Sequence, residues 1–327
     1  MKHKLIFIPL IVVGGIVTTF GALVGGLNLA KFAIYHEYYN MESEVAKCPG
    51  LDDNFIPQGM SVDEEKDKII IAGYMSDKSA SRLYITDSNN NVKTILLKQN
   101  GEPFTGHCGG VANENGTLYL ANGDGENSGI YDIPMSTIYD ENVNEIELDK
   151  TNHFHKVDGS ASFVFTQDGY IYIGEFNNGK AYKTNHPYET KNEGTHYAVV
   201  GKYLLDSEGL KPLLYYSIRD QVQGFAMNKN GEIVLSTSYG LASSHYYVYH
   251  SDAIYESGKT LNGAPVYVVE DHYRDIIGPA MSEDLDYNEK DGKVYVTTEA
   301  GSNKYIFGKF FNAKNIYALD FWPSNNK

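Results

Sequence analysis

The chain has 327 residues, 42% hydrophobic and 21% charged, a balance that supports a substantial core and excludes wholesale disorder. Its formal net charge is −15; positions 1–31 hold Lys2, Lys4 and Lys31 and no acid, so they contribute +3 and the remainder stands at −18. Such a surface repels phosphate backbones, which argues against nucleic acid as a partner, and the 27 Tyr and 32 Gly favour pleated strands and tight turns.

The chain opens on a short basic stretch, Met1 to Lys4, followed by LIFIPLIVVGGIVTTFGALVGGLNLA over 5–30 with no charged side chain. About 20 apolar residues cross the hydrocarbon of a bilayer, so this run predicts an N-terminal transmembrane helix within an anchor spanning 1–35. Basic residues stay on the cytoplasmic side, which makes the protein single-pass, with its N-terminus cytoplasmic and its domain extracytoplasmic. A cleaved signal peptide has a shorter apolar region of about 7–15 residues, and no clear Ala-x-Ala site follows here. Both readings export the domain. Residues 36–56 form a polar, aromatic linker able to lend the domain one strand.

From residue 57 to the end one pattern recurs five times: small residues opening a strand, a turn rich in Asp, Asn and Gly, then an apolar strand. The copies start QGMSVDEEKDKIIIAGY at Gln58, HCGGVANENGTLYLANG at His107, SASFVFTQDGYIYIGEF at Ser160, QGFAMNKNGEIVLSTSY at Gln223 and SEDLDYNEKDGKVYVTTE at Ser282. Aligning the turns puts Gln58, Cys108, Ala161, Gln223 and Glu283 in one column. A period of 40–50 residues or more carrying about four strands is the signature of a propeller blade. The fold class is therefore all-β, a β-propeller over 57–327 with five blades; six remain possible because the third unit, 160–222, is long enough to conceal another. Outer strands are expected at 81–87 and 92–98 in blade one, and at 245–251 and 264–272 in blade four. Blade five ends with 316–321 and lacks an outer strand, so the segment around 35–50 is expected to pair there and close the ring, removing an exposed edge.

Propellers bind ligands where their innermost strands begin. Those entrances offer Gln58, His107, Ser160, Gln223 and Glu283 as ligand-binding candidates. His107, Glu175 and Glu283 are the candidate catalytic groups, Glu283 and Glu175 because two carboxyls at suitable separation suffice for glycoside hydrolysis. His107 and Cys108 cannot act as a dyad in regular strand geometry, where neighbours point to opposite faces. Cys48 and Cys108 carry no zinc-ligand spacing, and spacing alone does not decide whether they pair. GDGENSG at 123–129 has the composition of a cation loop without the spacing of an EF-hand.

The repeat organisation resembles calcium-dependent lactonase propellers of the gluconolactonase and paraoxonase kind, in architecture and not in motifs. That resemblance implies a central calcium polarising a lactone carbonyl. Glu175, Glu283, Asp284 and Glu299 are the metal candidates should they converge, although the column holds only one carboxylate where six to eight hard oxygens are wanted. The expected function is a membrane-anchored module binding a small polar or carbohydrate-like ligand, or an envelope protein, at its funnel. The alternative is a metal-assisted hydrolase of lactones, esters or glycans.

Overall fold

A computed structural model describes residues 21–22, 25–26, 29–123, 128–206, 209–305 and 313–323. The apolar segment 5–30 lies almost wholly outside them, as do 124–127 of the GDGENSG loop; among the described residues no helix is long and apolar enough to cross a membrane.

The five repeats fold as five antiparallel blades, each led by one strand on the axis. These inner strands are Phe55–Asp63, Val111–Glu114, Phe163–Gln167, Val222–Met227 and Ser282–Asn288. The turn chemistry explains the hairpins: Asn115-Gly116 and Asp168-Gly169 all adopt positive φ, between 50° and 77°, the backbone twist that two-residue turns require. After each turn an apolar second strand, such as Lys68–Met75 or Ile233–Thr237, runs back beside the first with nearly every residue buried. Blades then pack face to face, with Phe225 stacked on Tyr172 at 5.5 Å between blades four and three.

Among the described residues, blade five has three strands of its own, Ser282–Asn288, Lys293–Thr298 and Asn315–Leu319. Its fourth is Glu42–Lys47, antiparallel to the last with Glu42 opposite Leu319 and Lys47 opposite Asn315. The first and last parts of the propeller are thus laced into one sheet, as the missing outer strand predicts. Ahead of that strand, the helix His36–Met41 lies against blade four, where Tyr38 is buried and stacks on Tyr246 at 5.8 Å.

The third unit contains no sixth blade. Its length goes into two long strands, Ala198–Asp206 and Gly209–Ile218. Blade four differs from expectation: Ala264–Val269, expected as its outer strand, pairs in parallel with Gly209–Ile218 of blade three, Tyr215 opposite Val266. It forms a hairpin with Ile254–Leu261, and the pair adds to the open edge of blade three as a unit. Blade four is completed by Arg274–Gly278 instead. Glu145–Glu147 similarly extends blade one, parallel to Lys93–Gln99.

At the axis five inner strands crowd together. Glycines allow the close approaches: a Cβ on Gly59 would lie 2.7 Å from the Gly110 carbonyl carbon, one on Gly224 would lie 2.7 Å from the Leu285 nitrogen, and one on Gly110 would lie closer still to the Val164 nitrogen. The space so created is filled by Asp284, which is fully buried. Its Oδ2 accepts from the amides of Met60 and Val111, each at 3.2 Å, reaching from blade five to blades one and two. One turn down the strand, Asp286 Oδ2 accepts from the Val62 amide at 2.7 Å. Inner strands have no neighbour on their axial side, so these carboxylates satisfy amides that would otherwise be buried unpaired.

Two outcomes follow for stability. A chain starting at residue 50 leaves the edge of Asn315–Leu319 open, and it should lose its single cooperative thermal transition and aggregate, as read by calorimetry and light scattering. Asp284→Ala strands two amide donors and should cost about 2–5 kcal/mol in urea unfolding, whereas Asp284→Asn, which keeps an acceptor oxygen, should cost much less.

Candidate functional site at the axial mouth

All inner strands run in one direction, so their starts and the ends of the second strands share one end of the ring. Irregularities in the ladder lie at that end. The register shifts between Pro57 and Gly59, between Val222 and Gly224, and between Ser282 and Leu285. Gln58, Gln223, Glu283 and Asp284 are the residues these bulges leave unpaired, and a bulge re-aims its side chain. Repetition of a bulge at one level, rather than regular strand alternation, is what delivers these side chains to the mouth.

Three of them, with Glu299 from the end of the second strand of blade five, form two pairs. Gln58 Nε2 donates to Glu299 Oε2 at 3.1 Å, and Gln223 Nε2 donates to Glu283 Oε1 at 3.4 Å. Glu283 is buried; desolvation first, then the charges of Glu299 and Asp284, push its carboxyl well above the ordinary range. Desolvation also raises Glu299, to about 7, although Lys304, Tyr305 and Gln58 pull the other way. The sequence offers Glu175 as a partner for Glu283; in the structure the acids whose charges act on Glu283 are Glu299 and Asp284. Glu175 is occupied elsewhere: it accepts from His186 Nδ1 at 2.8 Å and from the amides of Val199 and Ser160 at 3.2 and 3.4 Å. Asp284 accepts from the amides beneath the mouth. The four metal candidates therefore do not converge as one set, and no cluster of three or more His, Cys, Asp or Glu able to hold a metal occurs among the described residues.

The remaining candidates sit around the rim. His107 is exposed and meets Tyr74 edge-on, ring centroids 4.8 Å apart. Strand geometry does not apply to it, because residues 104–110 are a loop and Cys108 has φ 55°, which turns the thiol into the core between blades one and two. No disulfide joins Cys48 to Cys108, and burial raises the Cys48 thiol to about 12. The Ser160 hydroxyl bonds that of Ser162 at 2.9 Å.

Two features escape sequence reasoning. On the mouth side of blades three and four a cavity of about 490 Å³ is lined by Glu193, His196, Arg219, Tyr239 and Tyr247. Arg219 pairs with Glu193 at 2.8 Å and lies over the Tyr247 ring at 3.4 Å. Glu193 and His196 belong to the small hairpin of strands Tyr188–Glu189 and Thr195–His196, Arg219 and Tyr239 to loops that follow blade strands, and Tyr247 to strand Ser244–Tyr249, so no single repeat position marks them together. At the opposite end a cavity of about 630 Å³ is lined by acids, Asp63, Glu64, Glu65, Glu114, Asp168 and Glu289 among them.

The sequence matches no protein-family model and no curated protein. Several solved structures are similar to it at low identity. Hydrazine synthase of Kuenenia stuttgartiensis is 11% identical with a TM-score of 0.37, over 74% of this chain and 55% of that one, so the chain spans about half its length. The PQQ-bound aldose sugar dehydrogenase of Streptomyces coelicolor is 14% identical with a TM-score of 0.43, over 78% and 76%. A gluconolactonase of Xanthomonas campestris is 11% identical with a TM-score of 0.41, over 85% and 94%. These likenesses are of fold alone. The protein is a five-bladed β-propeller that resembles lactonase and sugar dehydrogenase propellers in architecture only.

The buried acids set a pH dependence. Burial raises Asp286 from 3.8 to about 7, so between those values the folded state holds a proton that the unfolded chain has lost, and stability falls as pH rises. The unfolding free energy read from urea titrations should drop from about pH 5 to about pH 7, by at most about 1.4 kcal/mol per pH unit for a group titrating alone. Asp286→Asn should flatten that slope; an unchanged slope would place the titration elsewhere.

Proposed function

We propose that the protein is a membrane-anchored, extracytoplasmic propeller whose mouth binds a small, neutral, hydroxyl-rich ligand of the carbohydrate or polyol class. The observation that carries this reading is the Gln58–Glu299 and Glu283–Gln223 pairing at the entrances of blades one, four and five. With Glu283 held protonated by burial, it keeps an O–H to donate while both glutamines donate and accept. Such a set matches alternating hydroxyls and carries little charge of its own below neutrality, which disfavours a cationic ligand. Aromatic rings at the rim, half-buried Tyr74 beside exposed His107 and exposed Tyr239 beside half-buried Phe176, suit the apolar faces of a sugar ring. The anchor rests on the uncharged run 5–30 behind a basic terminus.

A hydrolase acting on the same ligand class is the second reading. It is favoured by Glu299, whose carboxyl titrates near neutrality beside a second acid, as a general acid–base pair requires.

Isothermal calorimetry with a panel of monosaccharides, oligosaccharides and polyols tests the first reading. Gln223→Ala and Glu283→Gln should each weaken any binding detected by about 3–10-fold, the worth of one or two hydrogen bonds. Affinity should also decline above about pH 7, as Glu299 ionises. Variants that bind like the parent would move the site away from the axis. Release of reducing ends or acid from the same panel, abolished by Glu299→Gln, would establish the hydrolase instead.

A further inference from the structure

The chain enters the propeller from a definite direction. The helix His36–Met41 runs along blade four, with Tyr38 at Gly278, which pairs with Ser244 at the mouth end, and Glu37 and Met41 at Arg274 farther down the same strand. Going back along the chain, the Tyr35 hydroxyl meets the Ser243 hydroxyl at 3.2 Å, in the mouth-side loop of blade four. Residues 29–34 are helical and continue beyond that contact. The uncharged run 5–30 therefore ends at the mouth end of the ring, with only about five residues between it and a docked side chain. At 1.5 Å per helical residue that is under about 10 Å.

Among the described residues, the most exposed large apolar side chains lie at the mouth end: Leu29 at 74%, Phe32 at 52%, Ile34 at 53%, Tyr182 at 52% and Leu241 at 61%, with Val92 at 49% the most exposed at the other end. Those at the mouth fall on the N-terminal helix and on the mouth-side loops of blades three and four. Leu241 lies two residues from Ser243, which holds Tyr35, and Tyr239 leads through Phe176, at 6.3 Å, to Tyr182, at 5.6 Å. The far end carries the acid-lined cavity, which an anionic bilayer would repel.

We propose that the mouth end of the propeller is seated on the surface of the bilayer that holds segment 5–30, with its exposed apolar side chains in the interfacial layer. This rests on the anchored reading above. A tether of about five residues leaves the domain no room to stand away from the membrane, and exposed aromatic and aliphatic side chains are favoured at the lipid–water boundary. The axial site then opens toward the membrane surface, and its ligand is one displayed there, such as a glycosylated or polyol headgroup, rather than one free in bulk solvent.

The test uses the full chain in vesicles of phosphatidylethanolamine and phosphatidylglycerol containing a nitroxide-labelled lipid headgroup. Leu241→Cys and, separately, Glu65→Cys carry an environment-sensitive fluorophore, with the native thiols buried. The label at 241 should be quenched several-fold more strongly than the label at 65. Equal quenching, or stronger quenching at 65, overturns the orientation while leaving the anchor intact. A chain that fails to float with the vesicles through carbonate at high pH overturns the anchor, and the seating with it.

Discussion

Five inner strands converging on one axis leave room for almost nothing between them, and what occupies that space determines the rest of the molecule. Gly59 and Gly224 remove side chains where neighbouring blades touch, and Asp284 crosses from blade five to the amides of Met60 and Val111. A carboxylate in that position is costly to bury, which shows in the upward displacement of Asp284 by desolvation. The cost is offset by satisfying two axial amides that no strand can reach. The same carboxyl group lies on the axis beneath the mouth, so what underlies the entrance is polar.

The ring could not hold this arrangement open-ended. Glu42–Lys47 closes it by pairing with the last strand, and the helix ahead of it buries Tyr38 against blade four. Closure and entry are thus one segment: the residues that finish the fold also fix where the chain enters it.

Much of the fold is legible in the sequence because turn chemistry repeats. Asn-Gly and Asp-Gly turns followed by apolar strands mark blades two and three, and the short fifth unit announces the strand that completes it. The insertion at 254–269 is not legible, since a hairpin that adds to a neighbouring blade has the same alternation as one that stays at home. At the axial mouth, the column Gln58, Gln223 and Glu283 marks residues that share one structural feature the sequence hides: each lies at a bulge. The Gln-Gly dipeptides at 58–59 and 223–224 are its visible trace. Glu299 as the acid acting on Glu283 could not be chosen over Glu175, because both follow the second strand of their blades. Only the nearby His186 and the amides of Val199 and Ser160 divert Glu175. The Glu193–Arg219 cluster has no counterpart in other repeats, so nothing in the periodicity marks it.

The account turns on a mouth whose acids are held protonated near neutrality by burial. Carbon-13 NMR titration of the glutamate carboxyls reads this directly. The account predicts one glutamate with a midpoint near 7 that disappears in Glu299→Gln, together with another, Glu283, that stays protonated well above the ordinary carboxylate range. A titration in which every glutamate ionises between about pH 3 and pH 5, as unperturbed carboxyls do, would contradict it.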